Sequence, residues 1–191
     1  QILDCPLHQA AVFVAATHYS KGCANTAVYC HGLFKDQTLC GVALWMPPTK
    51  VCAQTVHENW RRVLSLSRLA VSSKEPQNAT SILLGGSISK IRKEGKWVAL
   101  VTYADQSQGH TGAIYRATNW VYKGETKPEA RWVDAQGRQV ARKRAGHTRT
   151  RKEMEDLGYQ LTDRFKKNKF VMILRSLPSA EPVPDPDQAH D

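Results

Sequence analysis

The feature that most constrains the fold is a strand and helix succession that begins at residue 63. The stretch VLSLSRLAV (63–71) alternates apolar and polar residues, and this pattern predicts a strand with Leu66, Arg68 and Ala70 on one face. The next segment, SSKEPQNATSILLGGSISKIRKEG (72–95), predicts a helix. Its start suits a helix cap at Asn78, and apolar residues then recur at helical spacing up to a basic end.

The same two elements then follow a second time. KWVALVTYAD (96–105) predicts a buried strand, and GHTGAIYRATNW (109–120) predicts a helix with Ala113, Ile114 and Ala117 on one face. Strand, helix, strand and helix in this order form a crossover unit, which places two parallel strands inside a larger sheet.

The flanking segments add strands and helices to this unit. A helix is predicted over residues 6–16, a hairpin over 26–46, short strands at 121–124 and 130–134, a charged helix over 147–158 and a last strand at 169–174. We therefore predict an α/β (α+β) fold with a mixed sheet of about six strands and flanking helices. We expect one domain over residues 1–176, followed by an acidic, proline-rich and disordered tail at 177–191.

The charge of the chain favours an anionic partner. The formal net charge is +10, and lysine and arginine concentrate in the basic region, residues 131–169. A surface of this kind suits nucleic acid, although a merely solvated surface is the alternative. The candidate nucleic-acid contacts are Arg142, Lys143, Arg144, Arg149, Arg151, Lys166 and Lys169.

Cysteine usage and hydropathy bear on the compartment. All five cysteines lie within the first 52 residues and none forms a CxxC pair, which favours a reducing compartment. No apolar run approaches the ~20 residues that span a bilayer, so we expect a soluble protein with no membrane partner. The chain opens at Gln1 without the pattern of a signal peptide, and we expect that it has been trimmed or renumbered.

Polar side chains gather where the two predicted parallel strands end. Asn78 and Ser81 enter the first crossover helix, and Tyr103 and Asp105 end the second strand on the same side of the chain. A carboxylate can accept a proton from a nucleophile there. The alternative is that Asp105 only caps the following turn.

The predicted second helix would bring Tyr115 and Asn119 back to this place, one helical turn apart on one face. The Tyr115 hydroxyl could donate a proton to a leaving group, or the ring could simply belong to the core. A histidine at the entry to a helix, such as His110, is more often a local hydrogen-bonding residue than a catalyst.

Three further residues could bind a ligand. Arg68 occupies an otherwise apolar strand, where its charge requires either an internal carboxylate or an anionic ligand. His18 precedes the hairpin and Tyr29 lies within it. The histidines lack the spacing of metal ligands on a helix, so the sequence leaves a metal site undecided.

Several segments together resemble a known family. LSRLAV (66–71), QNATSILLGGSI (77–88), VTYADQSQGHTGAIYRATNWVYKG (101–124) and KKNKFVMIL (166–174) resemble, in order and spacing, the Mom family of phage DNA-modification proteins. HYSKGCANTAVYCHGLF (18–34) is similar to the family more loosely. The resemblance implies a GNAT acyltransferase-like fold, and the placement of a carbamoylmethyl group on N6 of adenine in DNA. That modification would protect phage DNA from host restriction, in the cytoplasm of the infected bacterium.

The resemblance also implies roles for residues. It assigns importance to Arg68, Ser81, Asp105 and Tyr115, and less securely to His18 and Tyr29. Our working hypothesis is an adenine flipped out of double-stranded DNA into a cleft formed by Tyr103, Asp105 and Tyr115, with Asp105 as base and Tyr115 as acid or orienting hydroxyl. Arg68 and Ser81 would bind the donor, and the residues predicted to bind substrate or donor are Asn78, His18, Tyr29, His110 and Asn119.

The donor is the least defined part of this hypothesis. It would be acetyl-CoA or another activated acyl or aminoacyl donor, yet SSKEPQNATS lacks the glycine-rich phosphate loop usual in GNAT enzymes. The alkyl-amine linkage of the product leaves a redox step or an iron ion open, and both monomer and dimer remain open. The alternative functions are a GNAT-like acyltransferase for a small amine and a non-catalytic DNA-binding protein.

Overall fold

The computed structural model describes residues 1–144 and 146–174. The helices are α1 Leu7–Thr17, α2 Lys50–Gln54, α3 Ala79–Lys93, α4 Ala113–Ala117 and α5 Arg151–Asp156. The first six strands are β1 Ile2–Asp4, β2 Tyr29–Lys35, β3 Thr38–Met46, β4 Val63–Val71, β5 Ala99–Asp105 and β6 Val121–Glu125. The later strands are β7 Trp132–Val133, β8 Gln139–Val140, β9 Lys143–Arg144, β10 His147–Thr148, β11 Gln160–Leu161 and β12 Lys167–Ile173.

Seven of the strands form one mixed sheet in the order β1-β2-β3-β4-β5-β12-β6. The crossover through α3 makes β4 and β5 parallel, as the sequence predicts, whereas the other neighbours in this sheet are antiparallel. The prediction of a mixed α/β sheet with flanking helices is confirmed. The sheet gains β1, whose three residues are too short to show a period.

The parallel pair separates after three residues. Val63, Leu64 and Ser65 pair with Ala99, Leu100 and Val101, and beyond Ser65 strand β4 no longer pairs with β5. The carboxyl halves of these central strands therefore splay apart and open a gap in the middle of the sheet.

A bulge in β4 changes the faces that simple alternation predicts. Leu44 pairs with Arg68 while the next residue, Trp45, pairs with Leu66, so Ser67 is an extra residue. As a result Leu66 packs in the cluster beside α3, and Ala70 packs in the cluster beside α1. The prediction that Leu66, Arg68 and Ala70 share one face was wrong for this reason.

The sheet is covered on both sides, as a sheet with apolar faces requires. Helix α3 buries Leu83, Leu84, Ile88 and Ile91 against one face. Helix α1 covers part of the opposite face through Ala10 and Val14, and α2 covers another part through Ala53. The central strands are thereby fixed on both sides while their carboxyl ends stay accessible.

Helix α4 is much shorter than the sequence pattern predicts. It ends at Ala117 after five residues, and Asn119 adopts a positive φ of 66°. Asparagine tolerates this left-handed conformation, which ends helices. Tyr115 and Asn119 therefore do not share a helical face, and that prediction was wrong.

The basic region forms smaller units beside the main sheet. Strands β11, β7 and β8 make a three-stranded sheet, β9 and β10 make a two-stranded one, and α5 begins with a reciprocal capping box between Thr150 and Glu153. The predicted tail at 177–191 lies outside the described residues, and the domain boundary at residue 176 stays a prediction. Within the described ranges, no helix has the length and hydropathy needed to cross a membrane.

Candidate active site

A cavity of about 390 Å³ occupies the gap between the splayed strands. Its walls are the carboxyl halves of β4 and β5, the residues that follow α1, the start of α3 and the segment from Gly109 to Tyr115. The residues that line it include His18, Tyr19, Arg68, Thr80, Thr102, Tyr103, His110 and Tyr115. Five of the predicted site residues thus line one space: His18, Arg68, Tyr103, His110 and Tyr115.

Asp105 ends β5 beside this cavity but is not among the residues that line it, and its buried carboxylate makes four polar contacts. Oδ1 accepts hydrogen bonds from the Ser107 backbone N–H at 3.1 Å and from Ser107 Oγ at 2.7 Å. Oδ2 lies 2.6 Å from Arg131 Nη2 and 3.5 Å from the Tyr19 hydroxyl, which donates to it. Asp105 therefore caps the turn that follows, as the alternative prediction held, and also faces a residue that lines the cavity.

These contacts determine the protonation state of Asp105. Burial alone would raise the pKa of its carboxyl, but the Ser107 hydrogen bonds and the Arg131 guanidinium outweigh burial and lower the pKa. Asp105 is thus an ionised acceptor at neutral pH. A carboxylate offers about four acceptor positions, and the Tyr19 hydroxyl makes the longest of the four polar contacts of Asp105.

Tyr115 faces the cavity from the α4 side. Its ring is buried against Trp120 and Phe170, with ring centroids 5.7 Å and 5.2 Å away. Burial raises the pKa of Tyr115, and a hydrogen bond with Thr102 opposes this only partly. The hydroxyl therefore stays protonated at neutral pH, which is the state that a proton donor requires.

The Tyr103 side chain does not complete the predicted cleft. Its hydroxyl lies 3.0 Å from Cys52 Sγ, and the ring packs with α2 and Trp60 on the face of the sheet opposite α3. Tyr115 packs in the cluster on the α3 face together with Ala104, whereas Tyr103 faces the other side because successive residues of β5 alternate sides. Burial and the Cys52 contact raise the pKa of Tyr103, so this hydroxyl is neutral.

Arg68 gives the cavity a positive wall, and His18 lies in the same lining. Arg68 donates from Nε to the Gly22 carbonyl at 2.8 Å and from Nη1 to the Ser67 carbonyl at 2.6 Å, so backbone oxygens rather than a carboxylate hold it. Burial, together with the nearby charges of Arg68, His110 and Lys21, lowers the pKa of His18 from 6.5 to about 4. His18 is therefore neutral at pH 7, and this wall favours an anionic ligand.

Tyr19 is a site residue that the sequence reasoning did not select. It lines the cavity, donates to Asp105 and makes an edge contact with His110 at a centroid distance of 5.4 Å. Burial raises the pKa of Tyr19, and the neighbouring Asp105 charge adds to this effect. The distance of 86 positions between Tyr19 and Asp105 explains why no spacing pattern revealed the contact.

The predicted donor residues fall near α3 but mostly outside the cavity. Thr80 lines it, whereas Asn78 and Ser81 do not, and Ser81 Oγ donates to the Asn78 carbonyl at 2.8 Å. The Asn78 side chain makes no capping hydrogen bond, so the first N–H groups of α3 are left without that side-chain acceptor. Asn119 also lies outside the cavity lining.

Tyr29 belongs to a different part of the molecule. It hydrogen-bonds Glu94, accepts from Trp97 Nε1 at 3.0 Å and stacks on His31 beside a second cavity of about 380 Å³. The structure does not bring Tyr29 to the cavity that contains Tyr115.

The family model of the Mom protein family matches residues 1–176. The chain belongs to the Mom protein family. Among curated proteins, the methylcarbamoylase mom of Escherichia phage Mu is 25% identical over 121 residues, which are 60% of this chain and 49% of that protein. The chain thus spans about half the length of this relative.

Solved structures agree with the fold of this Mom family member. The ribosomal-protein-S18-alanine N-acetyltransferase of Escherichia coli is 11% identical, with 96% of this chain and 98% of that chain covered and a TM-score of 0.56. An acetyltransferase of Bacillus subtilis in complex with CoA is 10% identical, with 91% and 97% covered and a TM-score of 0.56. The predicted resemblance to the Mom family and the GNAT-like fold are both confirmed.

Several of the residues predicted to contact DNA already have partners within this Mom family member. Arg151 pairs with Glu155 at 2.8 Å, and Lys166 with Glu125 at 2.6 Å. Lys169 donates to Thr55 at 2.7 Å, and Arg142 donates twice to the Arg149 carbonyl. The side chains of Lys143 and Arg144 lie outside the described part of the structure.

The described residues give no support to the iron alternative. In residues 1–144 and 146–174, no three or more His, Cys, Asp or Glu side chains gather in a way that could hold a metal ion.

Proposed function

We propose that this Mom family member is a DNA-modifying transferase that places a carbamoylmethyl group on N6 of adenine. The observation that carries the proposal is an ionised acceptor, Asp105, held beside the splayed-strand cavity in contact with its lining residue Tyr19, and a protonated donor, Tyr115, in the cavity lining itself. The family assignment and the phage Mu relative support DNA as the substrate. The protein would act where phage DNA is present, in the cytoplasm of the infected bacterium.

The cavity suits a single base better than a duplex. A volume of about 390 Å³ is in the range of small-ligand pockets, so an adenine would have to leave the base stack to enter it. The net charge of +10 and the basic region supply attraction for the phosphate backbone. We infer that the basic region holds the duplex while one adenine occupies the cavity.

Asp105 would act on the adenine amino group. The N6 lone pair is delocalised into the ring, and N6 becomes strongly acidic as its new bond to carbon forms. Asp105 Oδ2 accepts the N6 proton at that moment, and a lowered pKa is sufficient because the nitrogen is then positively charged. Tyr115 gives its proton to the leaving group as the bond between that group and the transferred carbon breaks.

The residues around the gap fit a donor of the CoA type in part. Beyond Ser65 the edge of β4 that faces β5 lacks a strand partner, so its backbone groups can pair with an extended, amide-bearing arm. Arg68 and the start of α3 near Thr80 would hold an anionic portion. When bound, the donor would supply a methylene carbon that carries the leaving group, because attack of N6 on the carbonyl carbon of an acyl or aminoacyl donor would give an N6-acyl adenine instead of the carbamoylmethyl amine. The sequence SSKEPQNATS has no glycine-rich loop, so an activated aminoacyl donor fits equally well.

Mass spectrometry of nucleosides tests the proposal. DNA from cells that produce the protein should contain N6-carbamoylmethyl deoxyadenosine, whereas an N6-acyl deoxyadenosine would support DNA transfer but correct the product. Unmodified DNA together with turnover of polyamines and acyl-CoA would support the small-amine acyltransferase. Unmodified DNA with tight DNA binding and no turnover would support the non-catalytic DNA-binding protein.

A further inference from the structure

Arg131 is held in place by the three-stranded sheet β11-β7-β8 of the basic region, which we call the small sheet. Its carbonyl accepts from the Thr162 N–H at 2.8 Å, and its own N–H donates to Thr162 Oγ1 at 2.9 Å. The next residue, Trp132, is buried at the start of β7, and β7 pairs with β11. The backbone that carries Arg131 is therefore fixed by Thr162 and by the pairing of β7 with β11.

The Arg131 side chain leaves this small sheet and reaches the end of β5. Nη2 lies 2.6 Å from Asp105 Oδ2, and Nη1 donates to Ser107 Oγ at 3.3 Å. Ser107 Oγ in turn donates to Asp105 Oδ1 at 2.7 Å. The guanidinium thus bridges both oxygens of the carboxylate, one directly and one through Ser107, and this forked geometry requires arginine.

Among the described residues, Arg131 forms the ion pair with the Asp105 carboxylate. Ser107 and Tyr19 are neutral, the N–H of His110 donates to the Asp105 carbonyl, and Lys167 is the Asp105 register partner on β12. The side chains of Asp105 and Arg131 are 5% and 17% exposed, so solvent screens their pair only weakly.

We propose that Arg131 is a positioning residue that orients the Asp105 carboxylate and makes the small sheet of the basic region part of the reaction centre. The inference rests on the proposed function, because the basic region is where DNA would dock. A displacement of β7 by bound DNA would move the one guanidinium that fixes Asp105. Arg131 itself contacts neither the adenine nor the donor.

The test is an NMR titration of the Asp105 carboxyl carbon, which requires neither DNA nor donor. In Arg131→Gln the pKa of Asp105 should rise, because the adjacent positive charge is removed. In Arg131→Lys it should stay low, because the charge is kept. Arg138→Gln is a control in the same small sheet, since Arg138 pairs with Asp134, and it should leave the Asp105 titration unchanged.

Activity and DNA binding complete the test. Arg131→Gln should lower the modification rate by about 10²-fold, the typical cost of a misplaced reactive group, and Arg131→Lys should recover part of that loss. An Asp105 titration in Arg131→Gln that matches the wild type overturns the proposal. If Arg131→Gln does not fold, an Arg131→Lys protein that modifies DNA at the full wild-type rate overturns it instead, because lysine keeps the charge but loses the fork.

The outcome separates this inference from the proposed function. The Asp105 pKa could rise in Arg131→Gln while the wild-type protein leaves DNA unmodified. This result would keep the positioning role of Arg131 and reject the proposed function. DNA binding by Arg131→Gln gives the opposing outcome. If the slope of its log binding constant against log salt weakens by about 0.9 while the Asp105 titration stays unchanged, Arg131 is a phosphate ligand and the positioning role is overturned.

Discussion

Replacement of Asp105 by asparagine separates the two contributions that the structure gives to this carboxylate. Asparagine Oδ1 can still accept from Ser107, so the turn cap survives. Its NH₂ group would then face Arg131 Nη2, which lies 2.6 Å from Oδ2 in the wild type, and two donors would meet. The variant therefore loses one ion pair and one proton acceptor, while the shape of the side chain is kept.

The cost in stability follows from the burial of the pair. Breaking a fully buried pair costs ~3–5 kcal/mol, and the partial exposure of Arg131 reduces this to about 2–3 kcal/mol. At roughly 2–4 °C per kcal/mol for a chain of this size, Tm should fall by about 4–12 °C. Asp134→Asn breaks a similar 2.6 Å pair with the 69% exposed Arg138, and solvent screening should make its cost in stability much smaller.

The assay is the modification rate of duplex DNA at a temperature where circular dichroism shows each variant fully folded. Loss of the N6 proton acceptor should lower the rate of Asp105→Asn by about 10²–10⁴-fold, whereas Asp134→Asn should stay near the wild type. A folded Asp105→Asn protein that modifies DNA at the wild-type rate would refute the assignment of Asp105 as the acceptor.

Three further predictions follow from other residues. In Gly112→Ala, an added Cβ would lie 2.3 Å from the Phe170 ring at a φ of +81°, so urea unfolding should show a loss of about 2–5 kcal/mol. Gly109→Ala, at a φ of +70° with open space, should lose only about 1–2 kcal/mol, and equal losses would contradict the predicted clash. His18 binds its proton at pH 6.5 in the unfolded chain but only near pH 4 when folded, so stability should fall as pH drops through that window. His18→Gln should flatten the dependence, and an unchanged pH profile would argue against a buried neutral imidazole. Joint neutralisation of Arg142, Lys143 and Arg144 should weaken the slope of the log DNA-binding constant against log salt by up to about 2.7. Lys166→Gln should change this slope less, because it removes a cation already paired with Glu125. An unchanged slope in the triple variant would remove these residues from the DNA contact.

Local periodicity predicts the crossover unit because its strands and helix each repeat over many residues. The segments 63–71 and 96–105 become β4 and β5, and the helix predicted between them becomes α3. Their parallel order then places Asp105 at the accessible edge of the sheet. This part of the site was predictable, since it depends only on neighbouring residues and on the handedness of the crossover.

Features that depend on tertiary contacts were not predictable in the same way. The extra Ser67 in β4 reverses the faces of the later residues, and nothing in an alternating pattern marks a bulge. Helix α4 stops early because Asn119 takes a left-handed conformation, which its sequence permits but does not require. The contacts of Asp105 with Tyr19 and Arg131 join segments far apart in the chain, so only the fold reveals them.

The most direct test of the central claim is the nucleoside content of DNA from cells that produce either the wild type or Asp105→Asn at equal protein levels. We predict N6-carbamoylmethyl deoxyadenosine with the wild type and its near absence with the variant. Deoxyadenosine that stays unmodified in the presence of folded wild-type protein would contradict the proposed function.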